Sequence, residues 1–311
     1  MTIVDLEQMP PDDRAAIQAM VEAAYRKAPE LRVKLNEEAP SNAAHWHKVA
    51  MECRAEIDRR LTTHPSQGYR AATEQAFLID QIVRLIYDYV TVHVYPAANR
   101  SASERIAVLA VGGYGRGEMA PHSDVDIAFV TPFKRSSWTE QVVEAILYLL
   151  WDLGLKVGQS SRSLDETVKM AQEDLTIRTA LLESRFVWGD RDIYEQASRR
   201  FWSEVVGKTA SEFVRLKMIE RDERHKRMGD SRYVVEPNIK DGKGGLRDLH
   251  TLYWLARYCY GVESIAELVK LTSPRVQDDT TGKVYSHALS QLNFGLFLNS
   301  LMINFPLWAE S

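Results

Sequence analysis

Cysteine is scarce. The 311 residues hold two, Cys53 and Cys259, with no metal-ligand spacing and too few for a disulfide framework. That excludes small zinc-binding modules and suggests a reduced, cytoplasmic setting. Positive charge is not in excess either, with 39 Lys and Arg against 43 Asp and Glu, a net charge of -4. Broad binding to a phosphate backbone normally needs a basic surface, so no nucleic-acid partner is expected. A local basic pocket for one nucleotide stays compatible with this balance. Long hydrophobic runs are missing as well. The most apolar stretch, "LSQLNFGLFLNSLMINFPLWA", is broken by Ser, Gln and Asn and falls short of the ~18 uninterrupted residues of a membrane span. The start, "MTIVDLEQMPPDDR", has no basic region followed by an apolar stretch, so no signal peptide is read and no membrane association is expected.

What is present is the composition of an ordinary globular protein, 45% hydrophobic and 26% charged, long enough for two or three domains. Residues 12–98 carry apolar positions spaced by three and four, such as Phe77, Ile79, Ile82, Val83 and Ile86, which predicts helices. "RIAVLAVGG" is a short apolar run ending in glycines, a buried strand that feeds a tight turn. "DVDIAFV" is a second strand, stopped by Pro132. "TEQVVEAILYLLWDLG" is an amphipathic helix closed by Gly154, and "LKVGQSSRS" a third strand. Ser163 and Glu166 form a capping-box signature for the next helix. A fourth short strand is expected around Arg185 to Trp188, followed by helices. The expected organisation is an N-terminal helical region at 1–98, a core at 99–190, a helical domain at 191–271 and an atypical tail at 272–311.

The chemistry concentrates in "GGYGRGEMAPHSDVDIAF", Gly112 to Phe129. Strand side chains alternate between faces, so Asp124 and Asp126 are expected to point the same way. Two carboxylates about 5 Å apart repel by about 3 kcal/mol at an effective dielectric near 20. Protonation, cation pairing or a metal can relieve this, and an all-oxygen site suits Mg²⁺ or Mn²⁺. A solvated strand edge with two exposed acids is the plain alternative for an isolated D-x-D. Gly112 and Gly113 follow the apolar strand, where bare backbone lets a ligand approach and N–H groups can hold phosphate. Arg116 adds a positive charge suited to phosphate oxygens, with Gly117 and Ser123 in the same nucleotide-binding segment. On its own, "GGYGRG" is more often a tight turn than a phosphate site. No G-K-[ST] follows it, so it is not a Walker loop, and the dinucleotide-fingerprint spacing fails. Glycine turn and paired carboxylates together imply a place where triphosphate and metal meet.

This pattern resembles the polymerase β-like nucleotidyltransferase superfamily, whose signature is a hydrophobic residue, Gly-Gly or Gly-Ser, a spacer, then Asp-h-Asp-h. The longer "GYGRGE" and "P-x-SD-x-D" forms, with "DLTIRTALLESRFVWGD" and "VVEPNIKDGKGGLRDLHTLYWLARY", resemble the bifunctional PII uridylyltransferase/uridylyl-removing enzymes. The resemblance covers roughly residues 70–260. It implies an α+β fold, a polymerase β-like core with a small mixed sheet flanked by helical regions. It also implies transfer of UMP from UTP to a tyrosine of the nitrogen-regulatory protein PII, with release of pyrophosphate. The family's metal-binding aspartates carry over to Asp124 and Asp126, and its phosphate-gripping glycines to Gly112 and Gly113. Two alternatives stay open: another acceptor such as glutamine synthetase, or a nucleotide- or PII-binding fragment without turnover.

The family continues into a His-Asp hydrolase domain and two ACT domains. No His-Asp dipeptide occurs in this sequence, so uridylyl removal and glutamine sensing are not expected of it. From about Thr272 the sequence departs from the family's pattern. A third carboxylate often completes such sites, and "KVGQSSRS" has none; Glu118, Asp174 and Glu183 are the substitutes. Each also has a structural reading, as a turn acid, a helix N-cap and a helix-end charge respectively. The loop "EPNIKDGKGGLRD", with Lys240, Lys243 and Arg247, either closes over the nucleotide or meets the partner, or is a helix-start loop with solvated charges. His122 is read as a turn histidine, and His45 and His47 as structural.

Overall fold

A computed structural model describes residues 52, 54–64, 68–97, 103–133, 136–229 and 238–262. His45 and His47, residues 12–51 of the predicted helices, the loop segment 230–237 and the 272–311 tail lie outside the described residues. The chain divides into two units. One comprises the described residues up to Glu173 together with Glu183–Arg200; the other comprises Asp174–Leu182 and the described residues from Phe201 onward.

In the first unit, helix α1 (residues 54–63) precedes α2 (Gly68–Tyr89), which runs into a π-helical stretch, Val90–Val94. Strand β1 (Ala107–Ala110) then enters the single helical turn α3 (Gly112–Gly115), and β2 (Val125–Thr131) follows. Helix α4 (Ser137–Asp152) crosses to β3 (Val157–Ser163), succeeded by α5 (Leu164–Glu173). The unit resumes with β4 (Arg185–Gly189) and α7 (Arg191–Arg200). The strands form one sheet of order β3-β2-β1-β4, parallel between β2 and β3 and antiparallel elsewhere. This is the expected α+β core with a small mixed sheet.

Alternation along the strands sorts residues onto two covered faces. Val108, Ala110, Ile127 and Phe129 pack against Ile79, Val83 and Ile86 of α2 and Val142, Ile146 and Leu150 of α4. Ala107, Leu109, Ala128 and Val130 pack on the other side against Leu164 of α5 and Ile193 and Ala197 of α7. The β2–α4–β3 crossover is fixed at both ends. The Ser136 hydroxyl accepts from the Thr139 N–H at 3.2 Å, and Gly154, at φ +70°, closes the helix. The capping box is formed in both directions: Glu166 N–H donates to Ser163 Oγ at 3.2 Å, and Ser163 N–H to Glu166 Oε2 at 2.9 Å.

The second unit contains α6 (Leu175–Leu182), a π-helical stretch Phe201–Val206, α8 (Gly207–Arg227) and α9 (Leu246–Tyr260). Phe213 of α8 stacks on Tyr258 of α9 with ring centroids 3.9 Å apart. Arg257 of α9 donates to the Leu182 carbonyl at 2.8 Å, which ties α6 to α9. Asp248 accepts from Arg224, from His225 at 2.9 Å and from the Gly244 N–H at 2.7 Å. Among the described residues, no helix is long and apolar enough to cross a membrane.

Candidate active site

Asp126 is the second residue of β2 and shares its face with Ala128 and Val130. It is half-buried, and Asp124, exposed, stands immediately before the strand. Burial pushes the Asp126 carboxyl above its ordinary range, and the neighbouring Asp124 charge pushes it further. The two acids are therefore close enough to repel, as the D-x-D spacing predicts. Neither carboxylate forms a hydrogen bond or ion pair among the described residues. A half-buried carboxylate without a compensating donor is a costly arrangement unless a cation joins it.

The glycine segment folds back over this acid. The Val111 N–H donates to the Asp126 carbonyl at 3.0 Å, which lays the exit of β1 beside β2. Gly112 then adopts φ +61°, a conformation glycine takes without a Cβ penalty. A β-carbon at Gly112 would lie 3.3 Å from Asp126 Oδ2. The turn closes on itself: Gly115 N–H bonds to Val111 O at 3.0 Å, Arg116 N–H to Gly112 O at 3.1 Å and Glu118 N–H to Gly113 O at 3.0 Å. By helix geometry the leading amides, of Gly112, Gly113 and Tyr114, have no acceptor within α3.

Two arginines brace the turn from below. Arg116 donates from Nη1 to Glu183 at 2.5 Å and from Nε to Glu118 at 3.1 Å. Arg185 of β4 binds Asp80 of α2 at 2.7 and 3.0 Å and also reaches the Tyr114 carbonyl at 3.3 Å. Tyr114 itself is fully buried, with the Arg185 guanidinium 5.5 Å from its ring centre. The glycine turn is therefore anchored to both α2 and β4.

Of the residues expected in the site, the fold brings Gly112, Asp124 and Asp126 together, with Gly113 the next residue of the turn. Arg116 is directed to two carboxylates of its own unit. Gly117, at φ +76°, is buried at the end of the turn. Ser123 is exposed and its N–H bonds to Ala120 O at 3.1 Å. His122 holds φ +65°, uncommon for a non-glycine residue, and belongs to the same exposed turn. The candidate third carboxylates have other partners. Glu118 and Glu183 bind Arg116, and Asp174 caps α6 by accepting from the N–H groups of Thr176 and Ile177 at 2.7 and 2.9 Å. In the second unit the loop before α9 is wound on itself, with Asn238 Oδ1 accepting from Lys240 and Asp241 N–H at 3.0 and 2.8 Å. That is the geometry of a helix-start loop.

One neighbour of Asp126 escaped the sequence reading. Register places Gly158 of β3 opposite it. The signal was available in "KVGQSSRS", where a glycine interrupts a strand, but only strand pairing shows which residue it faces.

Residues 97–186 match the family described as nucleotidyltransferase domain, and residues 212–285, running past Thr272, match GlnD PII-uridylyltransferase. The bifunctional uridylyltransferase/uridylyl-removing enzyme of Novosphingobium aromaticivorans is 69% identical over 216 residues, 70% of this chain and 24% of the relative. That of Erythrobacter litoralis is 58% identical over 255 residues, 82% of this chain and 27% of the relative. That of Rhodospirillum rubrum is 59% identical over 218 residues, 70% and 23% respectively. The chain thus spans about a quarter of the length of the curated relatives it matches. In sequence it is related to the N-terminal part of the bifunctional uridylyltransferase/uridylyl-removing enzymes, and it carries a nucleotidyltransferase domain.

Proposed function

We propose that this chain transfers UMP from UTP to a tyrosine hydroxyl of PII and releases pyrophosphate. The observation that carries the reading is the pair Asp124 and Asp126, two interacting carboxylates with no cation paired to them among the described residues, one of them set against Gly112. In the reaction the tyrosine oxygen attacks the α-phosphorus, the bond from that phosphorus to the α,β-bridging oxygen breaks with pyrophosphate leaving, and the hydroxyl proton passes to solvent water. Gly112 and Gly113 leave the exit of β1 bare, so that triphosphate oxygens can approach the backbone. Arg116 and Gly117 hold that turn in shape, and Ser123 lies on the rim as a further hydroxyl for phosphate.

The donor set fits a hard divalent cation. Among the described residues no three His, Cys, Asp or Glu side chains gather as a metal group. Mg²⁺, however, is commonly held by one or two carboxylates with substrate phosphates and water completing its shell. Asp124 and Asp126 would hold Mg²⁺ or Mn²⁺. When bound, such an ion neutralises charge on the departing pyrophosphate and lowers the pKa of the attacking hydroxyl. Asp126, fixed on a central strand, sets the position of that charge relative to the glycine turn.

The test is incubation of the chain with α-labelled UTP, Mg²⁺ and PII, scoring label on PII. Transfer that disappears in Asp126→Asn is the expected result. Labelling of PII by wild type and Asp126→Asn at equal rates would remove Asp126 from the reaction. No labelling by wild type under any divalent cation would leave a binding role instead.

A further inference from the structure

Strand β3 lies at the edge of the sheet, parallel to β2, with Gly158 opposite Asp126. A β-carbon built at Gly158 would lie 2.4 Å from Asp126 Oδ1 and 3.6 Å from its Cγ. One built at Gly112 would lie 3.3 Å from Oδ2. Each oxygen of the carboxylate is thus set against a position with no side chain, one on either neighbouring segment.

Ordinary reasons for glycine do not apply at position 158. Its backbone lies outside the left-handed region that favours glycine. It is exposed, so a β-carbon there has room apart from the carboxylate. Glycine inside a strand weakens it through backbone entropy and lost packing, so some other requirement keeps it there. Among the described residues, the one group a β-carbon would meet within 4 Å is Asp126.

We propose that Gly158 is a positioning residue: its bare Cα lets the Asp126 side chain lie across β3 and present its carboxylate to a divalent cation. This rests on the metal-site reading of Asp126 given above. An alanine methyl at 158 meets the far end of a side chain, not backbone. The carboxylate swings away while the β2–β3 pairing survives. Gly158→Ala therefore separates the site from the fold.

The experiment uses the full 311-residue chain and Mn²⁺ as the probe, titrated without nucleotide and followed by electron paramagnetic resonance. Thermal melting of each metal-free variant runs alongside. Gly158→Ala is expected to bind Mn²⁺ roughly tenfold more weakly than wild type, the scale on which groups that orient a ligand act, with its melting midpoint unchanged or raised. Gln159→Ala, exposed on the opposite face of β3, is expected to match wild type in both. Wild-type Mn²⁺ affinity in Gly158→Ala, with binding lost in Asp126→Asn, overturns the positioning role and leaves the metal site standing. Equal binding by wild type and Asp126→Asn overturns both. A lowered melting midpoint in Gly158→Ala also overturns the proposal, because the strand rather than the carboxylate would then have yielded.

Discussion

Arg116 and Glu183 form an ion pair of 2.5 Å beneath the glycine turn, with 13% and 2% of their side chains exposed. Burial opposes the charge on Arg116, but Glu183 and Glu118 outweigh it and raise its pKa above the usual value. Removing one partner of so buried a pair strands the other, typically at about 3–5 kcal/mol. Arg116→Met is expected to lower stability on that scale. The double variant Arg116→Met with Glu183→Gln should lose much less than the sum of the single changes. A double-mutant cycle by urea unfolding measures this. Additive losses would mean the two groups do not support each other.

Asp126→Asn keeps the shape of the side chain and removes its charge. Burial and Asp124 both oppose that charge in the folded protein, so the metal-free variant should melt at the wild-type temperature or above. The proposed transfer of UMP to PII should fall by more than about a hundredfold, since a ligand contributes more than the 10–100-fold of groups that merely orient one. A destabilised variant would make the activity loss uninformative about the site and would contradict the electrostatics described here.

Gly115 offers the opposite case to Gly158. A β-carbon there would lie 2.2 Å from the Glu183 carbonyl oxygen and 3.0 Å from that of Ala110. Both are backbone atoms, one in the lead-in to β4 and one at the end of β1, and neither can move aside alone. Gly115→Ala is expected to cost about 3 kcal/mol or more, the upper range for overpacking a tight site. Denaturant midpoints of the two alanine variants, compared directly, decide it. A Gly115→Ala protein as stable as wild type would show that the turn is more adaptable than its contacts suggest.

Asp190 joins the end of β4 to α7. Burial pushes its carboxyl up, but the Arg105 hydrogen bond and the Ile193 N–H outweigh this and hold it below the ordinary range. A carboxyl lowered in the fold contributes stability above its unfolded value and loses it as pH falls through the lowered value. Arg105 is partly exposed, so solvent screening limits the effect to about 1 kcal/mol. Arg105→Gln should be less stable than wild type by that amount at pH 7, and the gap should close below about pH 4. Unfolding curves at both pH values check it; a gap of constant size would exclude the ion pair as its source.

Much of the sheet was legible because short-range signals set it. The apolar run of β1, the alternation of β2, the period of α4 and the Ser163–Glu166 box each act within a few residues. The D-x-D spacing marked Asp124 and Asp126 as neighbours in sequence, but Asp124 stands just before β2, so strand alternation fixes the side of Asp126 only. Arg116 was not. Its main partner lies 67 residues away, and nothing local distinguishes an arginine facing phosphate from one facing a buried glutamate. Gly158 required the register of a parallel strand pair, which is a tertiary fact. The π-helical stretches Val90–Val94 and Phe201–Val206 passed as ordinary helix, because a change from four- to five-residue hydrogen bonding barely alters apolar spacing.

The assignment of Asp174–Leu182 to the second unit, between α5 and β4 of the first, makes the chain pass between units three times. A polypeptide synthesised from its N-terminus has every described residue of the first unit once Arg200 emerges. At that moment α6 still lacks the Arg257 side chain that holds its last carbonyl and the Glu212 that pairs with Arg178 at 3.1 Å. It must wait, joined to α5 at one end and to β4 at the other, until α8 and α9 arrive. Excision of the nucleotidyltransferase sheet as one continuous fragment would always carry α6 along without its companions. Severing the chain on either side of α6 would instead break the first unit. The two units interleave along the chain, so the eight-residue helix α6 makes the completion of the second depend on a segment enclosed by the first.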